Sequence, residues 1–199
     1  MFEVAEYIGI VAFAMSGFFV ATRAKLDLLG ILISTFLTAL GGGIIRDISV
    51  DTTPFTFSHN YPGIMVLSVM ILMILFKFHK RNSFENKSYF ILSDSIGLIS
   101  FSISGAIIAI EHNLNFTGVL AISFITAVGG GIVRDVILNE VPFVFKTGFY
   151  GTVALLMAIC VYVLNIFDFI NIVTLSLLFI LGVVLRLIAF YKKWSIPLK

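Results

Sequence analysis

Laid against itself with a shift of 88 residues, the chain matches without a gap over residues 8–63 and 96–151, and 22 of those 56 positions are identical. The matches include Gly9/Gly97, Ser16-Gly17/Ser104-Gly105, Gly30/Gly118, Thr38-Ala39/Thr126-Ala127 and Pro54-Phe55/Pro142-Phe143. The longest block sets Gly41-Gly42-Gly43-Ile44-Ile45-Arg46-Asp47 against Gly129-Gly130-Gly131-Ile132-Val133-Arg134-Asp135, and Glu6 faces Asp94 conservatively. The chain is two copies of one unit, and its fold has to accommodate both.

Composition fixes the medium. The 199 residues are 59% apolar and only 12% charged, with a mean hydropathy of +1.09. Soluble domains carry about 25% charged residues, so this composition excludes a soluble enzyme with one anchor. A helix spanning a bilayer needs about 20 largely apolar residues. Seven stretches meet that description, at residues 5–22, 28–48, 61–78, 89–110, 116–138, 147–165 and 170–191. They are too long, and lack the alternation, for strands of a membrane barrel. In hydrocarbon that leaves helices, which satisfy their own backbone.

The expected fold is an all-α integral membrane protein with seven transmembrane helices in a single membrane domain over 1–199. Each copy of the repeat holds three spans, at 5–80 and 89–167. Three is odd, so the second copy enters the membrane in the opposite direction from the first. Inverted repeats of this kind are typical of transport proteins, whose permeation site lies where the halves meet. The seventh helix, 170–191, stands outside the repeat as a packing or assembly helix.

Charge gives the direction. Arg23, Lys25, Lys77, Lys80, Arg81, Lys87, Lys146, Lys192, Lys193 and Lys199 all fall on one side of a seven-span chain, and none on the other. By the positive-inside rule the C-terminus is cytoplasmic and the N-terminus outside, and the short loops without a targeting segment lead us to expect a prokaryotic cell (inner) membrane. A net charge of +2 without a basic patch gives no reason to expect nucleic acid. Glu3 and Glu6 precede the first apolar run without a Lys or Arg, unlike a cleaved signal peptide. The lone Cys160 reads as a packing residue.

The chemistry sits in the duplicated block. Three consecutive glycines within a span cost about 1 kcal/mol each relative to Ala in a soluble helix. They serve either close helix approach, as in small-xxx-small packing, or a bend that turns backbone groups toward a watery cavity. Because the block is triple, duplicated and followed by Arg-Asp, the kinked, cavity-lining use is expected for Gly41, Gly42, Gly43, Gly129, Gly130 and Gly131. Thr38, Gly42 and Arg46 are spaced i, i+4, i+8 and share one face within about 80°, as do Thr126, Gly130 and Arg134. Charges in a span cost about 2.5–3.5 kcal/mol on insertion scales and usually face protein or water. That marks Arg46, Asp47, Arg134 and Asp135 as functional. The competing use is a snorkelling or structural salt bridge near an interface, crosswise between repeats.

Other intramembrane polar residues read more simply. Glu6 and Asp94 either attract cations at a mouth or just favour the helix dipole, and the dipole explanation is preferred. Ser16-Gly17 and Ser104-Gly105 fit close helix contact. Arg186 is expected to snorkel with Lys192, Lys193 and Trp194 or to contact lipid headgroups. His59, His79 and His112 have no metal-ligand spacing, and no P-loop, HExxH or GxSxG occurs in the sequence.

Two three-span repeats, each carrying Gly-Gly-Gly-x-x-Arg-Asp, resemble the prokaryotic TRIC family, the trimeric intracellular cation channels. The resemblance implies a homotrimer with an hourglass pore in each subunit, passing potassium and sodium ions, favouring potassium, and lined by the glycine-kinked second and fifth spans. It carries Gly41 to Gly43 with Arg46 and Asp47, and Gly129 to Gly131 with Arg134 and Asp135, into the pore. Helical faces add Thr38, Thr126, Ser16 and Ser104 to its lining. Membrane lipids are partners, and neither a cofactor nor an enzymatic activity is implied. Bacterial relatives also carry a glycine-transporter name, so a carrier of glycine or another small solute is the second reading.

Overall fold

In the computed structural model the described residues are 2–80, 83–146 and 148–194, and among them every regular element is helical. The chain runs α1 (Phe2–Arg23), α2 (Leu28–Ser49), α3 (Phe55–Ser58), α4 (Tyr61–Leu75), a 3₁₀ turn at Phe78–Lys80, and then α5 (Ser83–Glu111). It continues through α6 (Phe116–Ile137), α7 (Phe143–Lys146), α8 (Tyr150–Ile166) and α9 (Ile172–Tyr191). Five helices, α1, α2, α5, α6 and α9, are long and apolar enough to cross a membrane.

Two expected spans come out shorter. α4 stops at Leu75 rather than 78, and α8 starts at Tyr150 after Phe149 adopts a left-handed φ of 61°. With 15 and 17 residues they reach about 22 and 26 Å at 1.5 Å per residue, less than the roughly 30 Å of hydrocarbon. Thr147, where the sixth span was expected to start, lies outside the described residues, as do Arg81 and Lys199. α5 is longer than expected, at 29 residues.

Equivalent helices of the two sequence copies begin and end alike. α2 is capped by Asp27, which accepts a hydrogen bond from Gly30 N at 2.8 Å, and α6 by Asn115, which accepts one from Gly118 N at 2.9 Å. Ahead of them, α1 and α5 end in left-handed Lys25 and Asn113, each one residue before a backbone bond back into the last turn. The tight reversal lays α2 antiparallel on α1, and α6 on α5.

Across the molecule, α1 packs on α5 and α2 on α6. Gly9 meets the Phe101 ring and Gly97 the Phe13 ring, while Ser16 bonds Asp94, so α5 retreats as α1 advances. The contacts are exchanged reciprocally, and the Phe13 and Phe101 rings meet between them, tilted at 57° with centroids 5.2 Å apart. α4 packs on α1 and α2, α8 on α5 and α6, and α9 on α5 and α8. The apolar core follows this interface, with Ile10, Phe13, Leu98, Ile99, Phe101 and Val153 nearly or wholly buried.

At the α2–α6 crossing the glycines are in backbone contact. A Cβ on Gly42 would overlap the Thr126 carbonyl oxygen, and one on Gly130 the Thr38 carbonyl oxygen. Gly63, by contrast, has only Phe36 at 3.8 Å. Gly42→Ala and Gly130→Ala should therefore each cost about 1–3 kcal/mol by overpacking, while Gly63→Ala is neutral. Thermal denaturation of the purified variants in detergent checks the order.

Candidate functional site

The site is built around two buried arginines, one in the last turn of α2 and one in the last turn of α6. Arg46 is completely buried, and its three nitrogens are filled by carboxylates. Nη1 donates to Glu6 Oε2 at 2.7 Å, Nη2 to Glu6 Oε1 at 3.1 Å, and Nε to Asp47 Oδ1 at 2.7 Å. Removing a guanidinium from water is costly, and filling its planar fork with carboxylates this way offsets much of that cost. Asp47 uses its second oxygen to accept the Phe55 amide at 2.8 Å, which ties the start of α3 to the end of α2.

The second cluster repeats half of this. Arg134 Nε donates to Asp135 Oδ1 at 2.8 Å, and Asp135 Oδ2 accepts the Phe143 amide at 2.8 Å, tying α7 to α6. The duplicated Pro-Phe dipeptides thus mark the points where the two aspartates anchor the next helix. The other half differs. Asp94 is one methylene shorter than Glu6, and Ser16 stands between it and the arginine. Arg134 Nη1 donates to Ser16 Oγ at 3.4 Å, and Ser16 Oγ donates to Asp94 Oδ1 at 3.1 Å. Asp94 also interacts electrostatically with Arg186 and with Tyr150, which occupies the position of Pro62 in the first copy.

Most expected site residues meet in this region. The glycines lie at the α2–α6 crossing, with both helices continuous through them. Close approach is the use visible here, since the glycines of one helix meet the backbone of the other. Thr38 and Thr126 are wholly buried and donate to carbonyls one turn back, Ser34 and Ile122, at 2.6 Å. Gly17 and Gly105 sit against those two threonine hydroxyls, which accounts for the Ser-Gly pairs as helix contacts. Ser104 bonds only its own helix, at Phe101 O. A cavity of about 460 Å³ beside α2, α3 and α4 reaches Gly41, with His59 and Asn60 on its wall.

Three expectations change. The arginines pair within their own sequence copy rather than crosswise: among the described residues the ion pairs stay within one copy, and the crossing is made by Ser16, which accepts from Arg134 and donates to Asp94. Glu6 is no mere helix-dipole residue but the bidentate partner of Arg46, which its alignment with Asp94 in the repeat could have signalled. Arg186 does not snorkel. It is fully buried, with its guanidinium carbon 4.8 Å from the centre of the Tyr150 ring and 5.6 Å from that of Phe190.

The sequence model of the glycine transporter family matches residues 3–79 and 91–165, the two repeat copies. A membrane protein of Bacillus subtilis, UPF0126 YvgT, is 32% identical over 98% of this chain and 95% of its own. Another UPF0126 membrane protein, from Deinococcus radiodurans, is 38% identical over 75% of this chain and 69% of its own. Among solved structures, a prokaryotic TRIC channel crystallised in 0.5 M KCl superposes with a TM-score of 0.89 at 28% identity, over 98% of both chains. The chain belongs to the prokaryotic TRIC family. A chain from work on conductance through TRIC cation channels agrees, with a TM-score of 0.86 at 33% identity over 100% of this chain and 97% of that one. So does the trimeric intracellular cation channel orthologue of Rhodobacter sphaeroides, with a TM-score of 0.88 at 26% identity.

This family likeness supports a cation channel in a membrane, and the buried ion pairs are its most vulnerable feature. Breaking such a pair from one side costs about 3–5 kcal/mol, because the remaining charge is left buried. Glu6→Gln should accordingly lower thermal stability in detergent far more than Glu140→Gln, whose partner Lys146 lies 3.1 Å away on the surface. Size-exclusion thermal-shift assays compare the two directly.

Proposed function

We propose that the protein is a potassium-favouring monovalent cation channel, working as a homotrimer with one pore in each subunit. Residues 5–80 and 89–167 form two three-span units of inverted direction, and 170–191 adds a seventh span. The N-terminus lies outside and the lysine-rich C-terminal end in the cytoplasm. The observation that carries this reading is the antiparallel, reciprocal crossing of α2 and α6 at their glycines, in a fold matched along its whole length by solved TRIC cation channels.

The pore follows the α2–α6 seam. Gly41 to Gly43 and Gly129 to Gly131 give it bare backbone, and Thr38, Thr126, Ser16 and Ser104 supply hydroxyls beside it. The conformation described here is closed, because these groups are buried and α2 touches α6 backbone to backbone. Opening requires the helices to separate at that contact, exposing carbonyl and hydroxyl oxygens of the kind that replace a cation's hydration shell.

Two arginines in a cation path would repel the permeant ion, but each is neutralised by its adjacent carboxylates. Arg46 is held by Glu6 and Asp47, and Arg134 by Asp135 with Ser16. The same bonds hold the ends of α2 and α6 in place, so the arginines act as latches of the closed state.

Purified protein in potassium-loaded liposomes should dissipate a potassium gradient without saturation and take up no radiolabelled glycine. Saturable glycine uptake with no ion conductance would replace the channel with a carrier. In planar bilayers Arg46→Ala should change conductance or open probability, and unchanged currents from a well-folded oligomer would remove its gating role.

A further inference from the structure

Among the described residues Arg186 is the one buried arginine outside the repeat, and it joins only one of the two clusters. The first cluster holds Glu6 and Asp47 against Arg46, a formal net charge of −1. The second holds Asp94 and Asp135 against Arg134, again −1 by its own residues. α9 then adds Arg186, which interacts electrostatically with Asp94 and brings that cluster to zero.

The placement is specific. Arg186 is fully buried, and its Nε and Nη1 have no hydrogen-bond partner among the described residues. Asp94 Oδ2 is likewise buried without one. A guanidinium held over the Tyr150 and Phe190 rings, with two donors unfilled, contributes to its surroundings chiefly as a charge. The groups facing it are Asp94 from α5 and Tyr150 from α8, and Arg134 acts electrostatically on both of these. The first copy has neither a counterpart of α9 nor a tyrosine at the position of Tyr150.

We infer that Arg186 makes the buried charge clusters at the two mouths of the pore unequal, the outer one net negative and the inner one neutral, and thereby sets the rectification of the current. The inference rests on the channel reading above and on the orientation proposed there. The Glu6–Arg46–Asp47 cluster lies at the outer mouth, where a net negative charge concentrates cations and favours inward current. The neutral inner cluster lacks that reservoir. Exposed lysines at the inner end act in the same sense, but they are unchanged by a substitution at Arg186.

The test is the current–voltage relation of excised patches from cells expressing the full chain, in symmetrical KCl. At about 10 mM the Debye length is about 30 Å and the clusters act at full range, whereas at about 1 M it is about 3 Å. Wild-type protein should pass inward current larger than outward by about twofold at low salt, with the difference vanishing at high salt. Arg186→Gln should raise outward current and move the ratio toward one, and Arg186→Lys should keep the wild-type ratio. Symmetrical wild-type currents at low salt, or an Arg186→Gln channel with the wild-type ratio, would overturn the inference while leaving the channel standing. The first of these needs no variant, so a misfolded Arg186→Gln protein does not shield the idea. Absence of cation current from wild-type protein would overturn the channel reading and this inference together.

Discussion

Everything in this molecule depends on the backbone contact between α2 and α6. Two helices can approach until a carbonyl oxygen of one meets the Cα of the other only where the second has no side chain, and Gly42 and Gly130 provide that position reciprocally. The contact fixes how the two sequence copies meet. From it follow the antiparallel stacking of α1 on α5, the phenylalanine pair between them, and the positions of the helix ends that carry the arginines. In hydrocarbon, such packing takes the place of the hydrophobic driving force that water gives to soluble cores.

Charge is the second constraint, and for Arg46 and Arg134 the molecule meets it by pairing the buried guanidinium with carboxylates. Arg46 is fully forked between Glu6 and Asp47, and the aspartate in turn anchors the next short helix. A single element therefore closes the end of α2, neutralises the charge and fixes the following turn. The second copy keeps the aspartate anchor and loosens the rest, because Asp94 reaches Ser16 instead of forking Arg134. The duplicated unit is thus symmetric in its backbone and asymmetric in its electrostatics.

Much of this was legible in the sequence. Hydropathy marked the helices, and the 88-residue shift paired α1 with α5 and α2 with α6 before any contact was known. The Gly-Gly-Gly-x-x-Arg-Asp block marked the central residues and their charges, but it suggested a kink rather than the close helix contact seen at Gly42 and Gly130. Helix lengths were less legible: α4 and α8 fall short because apolar composition runs past the residues whose backbone turns, as at Phe149 with its left-handed φ. Glu6 was undervalued because a carboxylate near a helix start has a local explanation, and its partner is 40 residues away. Arg186 was misplaced for a similar reason, since nearby Lys192, Lys193 and Trp194 suggest an interface.

The sequence by itself determined the medium, the helices, the duplication and the residue types at its centre, because hydropathy and periodicity are local and the repeat is read by comparison alone. Only the tertiary structure decided which carboxylate each arginine holds, that the glycines touch the opposite helix, and that Arg186 faces inward. Those outcomes depend on side-chain reach and helix rotation. One methylene separates Glu6 from Asp94, and that difference becomes a different network only when the helices are in place.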